Sequence, residues 1–224
     1  AARMLRIPLL VHEQNAVMGM TNRWLSKFAN KVMLGFERAR KNLSKASTAV
    51  VTGNPVRNAI ASKAAQAIEL DKRNLRILVV GGSLGARPLN QRLPAIFAAF
   101  DNIDVHHQCG KGNTSDVSTA YQQQAPALNV EVADFIDDMA DAYNWADLVV
   151  CRAGAITVTE ISMAGVAAVF IPLPHAVDDH QTANARSLVD RRAGYLINQN
   201  DMETELPVLL TNILGHPQQL EQIR

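Results

Sequence analysis

A glycine-rich stretch, Gly81-Gly82-Ser83-Leu84-Gly85, follows an apolar run and precedes a helical pattern over Ala86–Phe100. Glycines let a backbone approach a phosphate closely, and a helix N-terminus offers free N–H groups and positive potential. The spacing differs from the G-x-G-x-x-G of dinucleotide sites, and no Gly-Lys-Ser/Thr of a Walker A loop follows. The stretch therefore predicts a phosphate-binding turn to which Ser83 adds a hydroxyl donor, with a purely structural turn as the alternative.

The same five residues also match G-x-S-x-G, the nucleophile elbow of α/β-hydrolases. That chemistry needs an acidic residue and then a histidine later in the chain, and Asp147 and His175 satisfy this order. A serine hydrolase that uses Ser83 is therefore a second interpretation.

A second strand-to-helix junction lies within residues 148–160. An apolar run ends at Cys151, small residues follow, and the N–H groups of residues 155–157 are expected to be exposed at a helix start. The carboxylate of Glu160 can accept two hydrogen bonds from a ribose diol. The simpler interpretation is that Glu160 is an acid in the first turn of a helix, favoured there by the helix dipole.

A polar loop and helix start cover residues 172–185. Gln181 and Asn184 are three residues apart, so a helix would place them on one face, where amides suit the hydroxyls of a sugar. Histidines and aspartates between residues 175 and 180 raise the alternative of a metal site. Their order lacks a familiar ligand spacing, so no metal is predicted.

A fourth polar cluster, His12-Glu13-Gln14-Asn15, follows a predicted strand at Ile7–Val11. A helical stretch over Thr21–Ala29 comes next, and its region carries basic and aromatic side chains at Arg23, Trp24, Lys27, Phe28 and Lys31. Such a surface can rest on anionic headgroups, and the alternative is that the two rings belong to the core. Nucleic acid is not expected as a partner, because no stacking module or recognition helix accompanies the basic residues.

Short apolar runs must position these clusters, and they recur with helical patterns between them, which predicts an α/β protein with a parallel sheet. Further strands are predicted at Lys31–Leu34, Ala49–Val51, Arg76–Val80, Val105–Gln108, Val130–Val132, Leu148–Cys151 and Val169–Ile171. Further helices are predicted at about 115–124, 137–145, 156–164, 178–190, 202–214 and 217–224. Ligands bind beyond the carboxyl ends of such strands, so the loops after Val80, Cys151 and Ile171 are the candidate site.

The chain has 224 residues, 48% of them hydrophobic and 19% charged, which is enough apolar material for one or two domains. Residues 1–57 carry 10 Lys/Arg and 2 Asp/Glu, a charge of +8, whereas residues 58–224 carry 12 and 19, a charge of −7. This asymmetry and a turn-rich joint at Gly53–Arg57 predict a domain boundary after residue 57. Cys109 and Cys151 are far apart, which argues against a disulfide framework and favours a reducing compartment.

The series of motifs closely resembles the MurG family of bacterial peptidoglycan glycosyltransferases. The resemblance rests on residues 12–15, 53–57, 81–87, 135–139, 155–160 and 179–185, which occur here in the order of the family. It implies a GT-B fold of two Rossmann-like halves around a cleft. Residues 1–57 would be the tail of the acceptor-side half, and residues 58–224 would be the donor-side half.

The resemblance also implies an activity and a set of site residues. The family transfers N-acetylglucosamine from UDP-N-acetylglucosamine to the undecaprenyl-linked precursor lipid I, giving lipid II, without a metal or another cofactor. By motif, Asn15 and Arg57 would contact the donor, Ser83 the diphosphate, Ile136 the uracil, Glu160 the ribose and Gln181 the transferred sugar. The nucleotide-binding segment would be Ala155, Ile156, Thr157, Val158, Thr159 and Glu160.

The family works at the cytoplasmic face of the bacterial inner membrane, so the resemblance implies that residues 23–31 face an anionic membrane. The family's glycine-rich first loop, which includes a histidine, has no counterpart here, and the chain does not begin with Met. About one hundred residues of the acceptor half are therefore expected to be missing, together with the usual candidates for the catalytic base. An open alternative is that the chain binds the UDP-sugar without transferring it.

Overall fold

The structure is a computed structural model, and it describes residues 5–43, 49–61, 73–82, 85–174 and 179–223. Strands and helices alternate along this part of the chain, as the sequence predicts. The strands are β1 (Leu10–Glu13), β2 (Lys31–Leu34), β3 (Ala49–Val51), β4 (Leu75–Val80), β5 (Ile103–Gln108), β6 (Asn129–Ala133), β7 (Leu148–Cys151), β8 (Ala167–Phe170) and β9 (Tyr195–Leu196). The helices are α1 (Met20–Ser26), α2 (Asn58–Ala61), α3 (Arg87–Phe97), α4 (Thr114–Gln124), α5 (Met139–Trp145), α6 (Ala155–Ala164), α7 (His180–Val189), α8 (Met202–Gly215) and α9 (Gln218–Gln222).

The strands form two sheets, and every pair in both is parallel. The smaller sheet has the order β1-β2-β3, and the larger has the order β6-β5-β4-β7-β8-β9. In the larger sheet the chain runs outward from β4 in one direction and then returns to β7 on the other side. A crevice forms at such a reversal of strand order, between β4 and β7. The predicted α/β fold class is confirmed.

Helices cover both faces of the larger sheet, which explains the almost continuous apolar sequence of β4. Leu75, Ile77 and Val79 pack into the core beneath α3, α4 and α8, whereas Leu78 and Val80 pack into the core beneath α5 and α6. Ile60 of the short helix α2 joins the second of these cores and is 1% exposed. The chain therefore passes directly from the smaller sheet into the packing of the larger one.

The predicted strand at Ile7–Val11 is wrong in position, because β1 begins at Leu10 and includes His12 and Glu13. Pro8 has no N–H to give to a strand ladder, and the N–H of Leu9 bonds the side chain of Asn30 at 2.8 Å. Parallel pairing starts at Leu10 with Lys31. The polar residues 12 and 13 thus belong to the strand rather than to the loop after it.

Other boundaries shift by a few residues, and several short elements are not predicted from the sequence. The strand predicted at Val169–Ile171 spans Ala167–Phe170, because two buried alanines open it. The sequence does not predict β9, a 3₁₀ helix at Glu37–Asn42, or α2. β9 has two residues and α2 has four, which is too short for hydrophobic periodicity to be read.

Cys109 and Cys151 are both free and buried. Among the described residues, no helix combines the length and the apolar character that crossing a membrane requires.

Candidate active site

The loops after β4, β7 and β8 lie side by side at the carboxyl edge of the larger sheet, because these three strands are neighbours. This confirms that the three loops singled out in the sequence share one edge. The side chain of Gln108, at the end of β5, braces the first loop. Its amide accepts from the N–H of Gly82 and donates to the carbonyl of Gly82, both at 3.0 Å.

Positive backbone angles shape the glycine-rich turn. Gly82 and Gly85 have φ values of 85° and 74°, which glycine adopts without strain. A side chain at Gly85 would also collide with the backbone carbonyl of Cys109. Ser83 lies outside the described residues, so its predicted contact with a diphosphate stays a prediction.

The N-terminus of α6 opens on the same edge. Gly154 caps the helix in an extended conformation and accepts the first helical hydrogen bond, from the N–H of Val158 at 2.9 Å. The N–H groups of residues 155–157 precede this bond and have no partner among the described residues. They are the N–H groups that the sequence predicts to be exposed at the start of this helix.

Two residues of the predicted nucleotide segment are engaged within the protein. The side chain of Val158 is fully buried in the core, and the hydroxyl of Thr159 donates to the carbonyl of Ala155 at 2.8 Å. The backbone of residues 155–157 and the carboxylate of Glu160 are thus the parts of this segment best placed for a ligand.

Glu160 is 6% exposed, and both of its oxygens have partners. Arg57 donates to Oε1 from Nε at 3.1 Å and from Nη2 at 3.0 Å, and the hydroxyl of Tyr143 donates to Oε2 at 3.2 Å. The first turn of α6 contains no acidic residue. The simpler interpretation of Glu160, an acid in the first turn of a helix, is therefore wrong.

Arg57 and Asn54 join the loop after β3 to α6. Besides the ion pair of Arg57 with Glu160, the side-chain amide of Asn54 donates to Thr159 Oγ1 and to the carbonyl of Gln14, each at 3.0 Å. The Oδ1 atom of Asn54 is buried and has no hydrogen-bond partner among the described residues. The motif at residues 53–57 therefore lies against the predicted donor segment.

Asn15 lies in the loop after β1, which the buried carboxylate of Glu13 organises. This carboxylate accepts from the N–H groups of Asn15 at 2.9 Å and Gly19 at 3.1 Å, and from the amide of Asn22 at 2.9 Å. The amide of Asn184 then donates to Asn15 Oδ1 at 3.2 Å. Asn15 is thus brought against α7 of the larger sheet.

Gln181 lies at the start of α7 and is half-buried. Its Oε1 atom accepts from the N–H of Leu173 at 2.9 Å, which ties the helix to the loop after β8. Its amide N–H₂ has no hydrogen-bond partner among the described residues. The helix begins at His180, after Asp179 with a left-handed φ of 48°. His175 and Asp178 lie outside the described residues.

Ile136 lies in the loop between β6 and α5. A mostly apolar cavity of about 350 Å³ opens beside it, with Phe135, His106 and Trp145 in its walls. The rings of His106 and Trp145 stack with their centroids 4.5 Å apart. Apolar and aromatic walls of this kind suit a planar ring.

Asp147 cannot serve Ser83 as the acid of a catalytic triad. It immediately precedes β7, so it lies at the amino edge of the sheet, opposite the loop that follows Val80. Its carboxylate pairs with Arg73 at 2.6 and 2.8 Å and accepts from the N–H of Arg76 at 3.0 Å. The hydrolase arrangement with Asp147 is therefore wrong, because the length of β4 separates Asp147 from the loop that begins after Val80.

Trp24 of α1 and Phe28, which follows the end of this helix, are at the surface. Trp24 is 60% exposed and Phe28 is 39% exposed, with their rings edge to face at 5.1 Å. The alternative that both rings are core residues is wrong for this chain. Arg23 and Lys27 lie on the same short segment, so the exposed surface is both basic and aromatic.

Within the described ranges, no group of three His, Cys, Asp or Glu side chains is arranged to hold a metal ion. Tyr143 and Asn184 are the residues of this site whose contacts the sequence does not predict. Tyr143 lies in an ordinary helical pattern with no motif around it. For Asn184 the only signal in the sequence is its spacing of three residues from Gln181.

Family models match most of the chain. The C-terminal domain of glycosyltransferase family 28 matches residues 76–223, and the N-terminal domain of the same family matches residues 1–34. The two matches follow the order of a GT-B protein along the chain.

Named relatives are similar over nearly the whole sequence. One from Tolumonas auensis, named UDP-N-acetylglucosamine–N-acetylmuramyl-(pentapeptide) pyrophosphoryl-undecaprenol N-acetylglucosamine transferase, is 50% identical over 100% of this chain. One from Aeromonas hydrophila with the same name is 51% identical over 91% of the chain. The match covers 62% of the length of the Tolumonas auensis relative and 55% of the length of the Aeromonas hydrophila relative.

Solved structures show the same fold. MurG from Acinetobacter baumannii is 44% identical, with a TM-score of 0.84 over 99% of this chain and 63% of its own. UDP-GlcNAc 2-epimerase from Neisseria meningitidis, at 13% identity and a TM-score of 0.65, shares the fold alone over 99% of this chain and 65% of its own. With the family model matched along residues 76–223, the chain belongs to glycosyltransferase family 28.

Proposed function

We propose that this chain is the donor-binding part of a transferase that moves N-acetylglucosamine from UDP-N-acetylglucosamine to lipid I, giving lipid II. In this proposal residues 58–224 form the donor-binding domain, and residues 1–57 are the end of the acceptor-side domain. The relatives at 45–51% identity carry the name of this activity.

One observation supports the donor site above all. The residues that the family resemblance assigns to the donor come from distant parts of the sequence, and Arg57 nevertheless meets Glu160 at the edge where α6 begins. A helix N-terminus beside a basic side chain suits a diphosphate, and a carboxylate beyond it suits a ribose. The convergence matches a nucleoside diphosphate in both charge and polarity.

The roles that we infer for the residues come from the family resemblance, and this arrangement supports them. The N–H groups of residues 155–157 and the turn around Ser83 would hold the diphosphate and stabilise the negative charge on the departing UDP. The backbone of Ile136 would bind the uracil, and Gln181 and Asn15 would bind the sugar. Val158 and Thr159 would hold the helix in place. The reaction would be a direct, inverting displacement at the anomeric carbon by the acceptor hydroxyl, with no metal.

Calorimetric titration of this chain with UDP-N-acetylglucosamine tests the donor site, with UDP-glucose and NAD as comparison ligands. We expect binding that is selective for the N-acetylglucosamine donor. Binding of none of the three ligands would contradict the proposal. Labelling by a fluorophosphonate, lost in Ser83→Ala, would instead support the hydrolase interpretation.

Turnover separates the transferase from the alternative of a chain that only binds the donor. A lipid I analogue and UDP-N-acetylglucosamine would be supplied together, and released UDP would be measured. Turnover supports the transferase, whereas binding without turnover supports the binding module.

We propose further that the exposed surface of α1 rests on an anionic membrane at the cytoplasmic face. Rings at the surface beside Arg23 and Lys27 favour contact with headgroups. We expect the chain to co-sediment with phosphatidylglycerol vesicles, less so as salt rises from about 0.05 M to about 0.5 M and screens the charges.

A pair of substitutions distinguishes binding through this surface from non-specific adsorption to vesicles. Trp24→Ser should weaken vesicle binding, whereas Phe135→Ser, which removes another exposed ring on the donor part, should not. Equal effects of the two substitutions would contradict the assignment to α1.

A further inference from the structure

The hydroxyl of Tyr143 donates a hydrogen bond to Oε2 of Glu160 at 3.2 Å, and neither side chain is open to solvent. Tyr143 is on α5 and is 3% exposed, and Glu160 is on α6 and is 6% exposed. The two helices pack side by side on the larger sheet, in the same core. A buried carboxylate needs donors, and Tyr143 is one that the fold itself brings to it.

The direction of this hydrogen bond is settled by protonation. Burial, and then the negative charge of Glu160, raise the pKa of Tyr143 far above its ordinary value. The phenol therefore keeps its proton at neutral pH and donates, since an ionised carboxylate can only accept.

The two partners of Glu160 differ in how firmly they are held. Arg57 reaches Oε1 from the loop before α2, and its side chain is 51% exposed. The ring of Tyr143 is packed among core residues, and its hydroxyl bonds the other oxygen, Oε2. Arg57 can therefore exchange this contact for a ligand, whereas Tyr143 holds its contact whether or not a ligand is present.

Each carboxylate oxygen offers two lone pairs, and Tyr143 uses one of those on Oε2. We propose that Tyr143 is a positioning residue that fixes the rotamer of Glu160 so that its remaining lone pairs face a ribose diol. It would thereby set the preference of the site for ribonucleotides over nucleotides that lack the diol. This inference rests on the proposed donor site, in which Glu160 binds the ribose.

Tyr143→Phe removes the hydroxyl and keeps the ring, so it tests the contact with little change in packing. Binding of UDP and of 2′,3′-dideoxy-UDP would be measured by calorimetry on the substituted and unsubstituted chains. We expect UDP to bind about threefold to tenfold more weakly, the range for one hydrogen bond. The dideoxy nucleotide should bind to both chains with the same affinity, because it has no diol for Glu160 to hold.

Tyr121→Phe is the matched control. Tyr121 is also 3% exposed, and its hydroxyl bonds His107 Nδ1 at 3.0 Å, on the other face of the sheet. It should leave the affinities for both nucleotides unchanged. Thermal unfolding of all variants reports whether each one folds.

A second test uses Glu160→Gln and the double variant Tyr143→Phe/Glu160→Gln. It still applies if Tyr143→Phe alone is poorly folded. If Tyr143 acts through Glu160, adding Tyr143→Phe to Glu160→Gln should weaken UDP binding by less than it does in the unsubstituted chain. The full loss in both backgrounds would overturn the inference.

The remaining outcomes are equally definite. Weaker binding of UDP and of the dideoxy nucleotide alike would show a structural role for Tyr143 and overturn the inference. Unchanged UDP binding in Tyr143→Phe, with a loss in Glu160→Gln, would overturn it and leave the proposed donor site standing. No UDP binding by the unsubstituted chain would overturn both.

Discussion

At the scale of single residues, Glu160 shows how a fold supports a carboxylate for recognition. It is buried, and it receives donors from two different elements, Arg57 and Tyr143. A buried carboxylate without such donors would cost several kcal/mol, so these contacts stabilise it in the core and hold its orientation. Its remaining lone pairs can accept hydrogen bonds from hydroxyls.

Glu160→Gln should weaken UDP binding by about 1–2 kcal/mol, the scale of a charge-assisted hydrogen bond. The change removes the negative charge and one acceptor while keeping the size of the side chain. Calorimetric titration with UDP measures it. Glu205→Gln, an exposed acid in the first turn of α8, is the control and should have no effect. Unchanged affinity in Glu160→Gln would show that Glu160 serves only the structure.

At the scale of elements, a glycine at each end of α6 sets where the helix begins and where it stops. Gly154 opens it at the carboxyl edge of the sheet, with N–H groups that have no partner in the described ranges. Gly165 ends it in the left-handed conformation with φ of 61°. The helix therefore stops after ten residues, and the chain turns back directly into β8.

Gly165→Ala should lower the unfolding free energy by about 1 kcal/mol, because alanine is strained in the left-handed region. Urea denaturation measures this loss, with the slope of the unfolding free energy against urea concentration expected to stay unchanged. Gly215→Ala is the control, since Gly215 lies in α8 with open space around a new methyl group. It should leave stability the same or slightly higher, and a loss as large as that of Gly165→Ala would contradict the explanation by backbone strain.

At the scale of the whole molecule, Asn184 joins the two sheets. It is fully buried, and its Oδ1 accepts from the N–H of Ala16 at 2.7 Å. Its amide donates to Asn15 at 3.2 Å and to the carbonyl of Ala153 at 3.1 Å. One side chain thus connects the loop after β1 with the loop after β7 across 168 positions of sequence.

Asn184→Ala should lower the unfolding free energy by about 2–3 kcal/mol, because it leaves buried partners unsatisfied on both sides. Urea denaturation measures it. Asn198→Ala is the control, because Asn198 is exposed and, within the described part of the chain, its side chain bonds Asp201 alone. Its cost should be well below 1 kcal/mol. Similar losses in the two variants would argue against a structural tie through Asn184.

The stability of the whole molecule should also depend on pH through His107. Burial lowers the pKa of His107 from 6.5 to about 3, and the ring lies between Asn90 and Tyr121. Between these two pH values the unfolded chain binds a proton that the folded chain does not. The stabilisation is therefore complete above pH 6.5 and is lost as the pH falls toward 3, by up to about 1.4 kcal/mol per pH unit.

Urea denaturation between about pH 4 and about pH 7 measures this slope. His107→Gln should flatten it, and His216→Gln, a change at an exposed position near the end of α8, should not. The same slope in His107→Gln and in the unsubstituted chain would contradict the assignment to His107.

The sequence by itself determined the fold class, most elements and the family. The alternation of apolar runs with helical patterns is local, so β2, β3 and β7 have the bounds that the patterns predict. The order of the motifs is also local information, and it identified the family before any contact was known. The predicted donor contacts of Asn15, Ser83, Ile136 and Gln181, and the boundary after residue 57, stay predictions.

Only the tertiary structure decided which side chains meet. Arg57 and Glu160 are 103 positions apart, and no periodicity encodes a pairing over that distance. Packing of α5 against α6 brings Tyr143 to the carboxylate, the register of β7 removes Asp147 from the site, and the placement of α1 leaves Trp24 at the surface. Each of these depends on how elements stack around a shared core, which propensities summed along the chain do not contain.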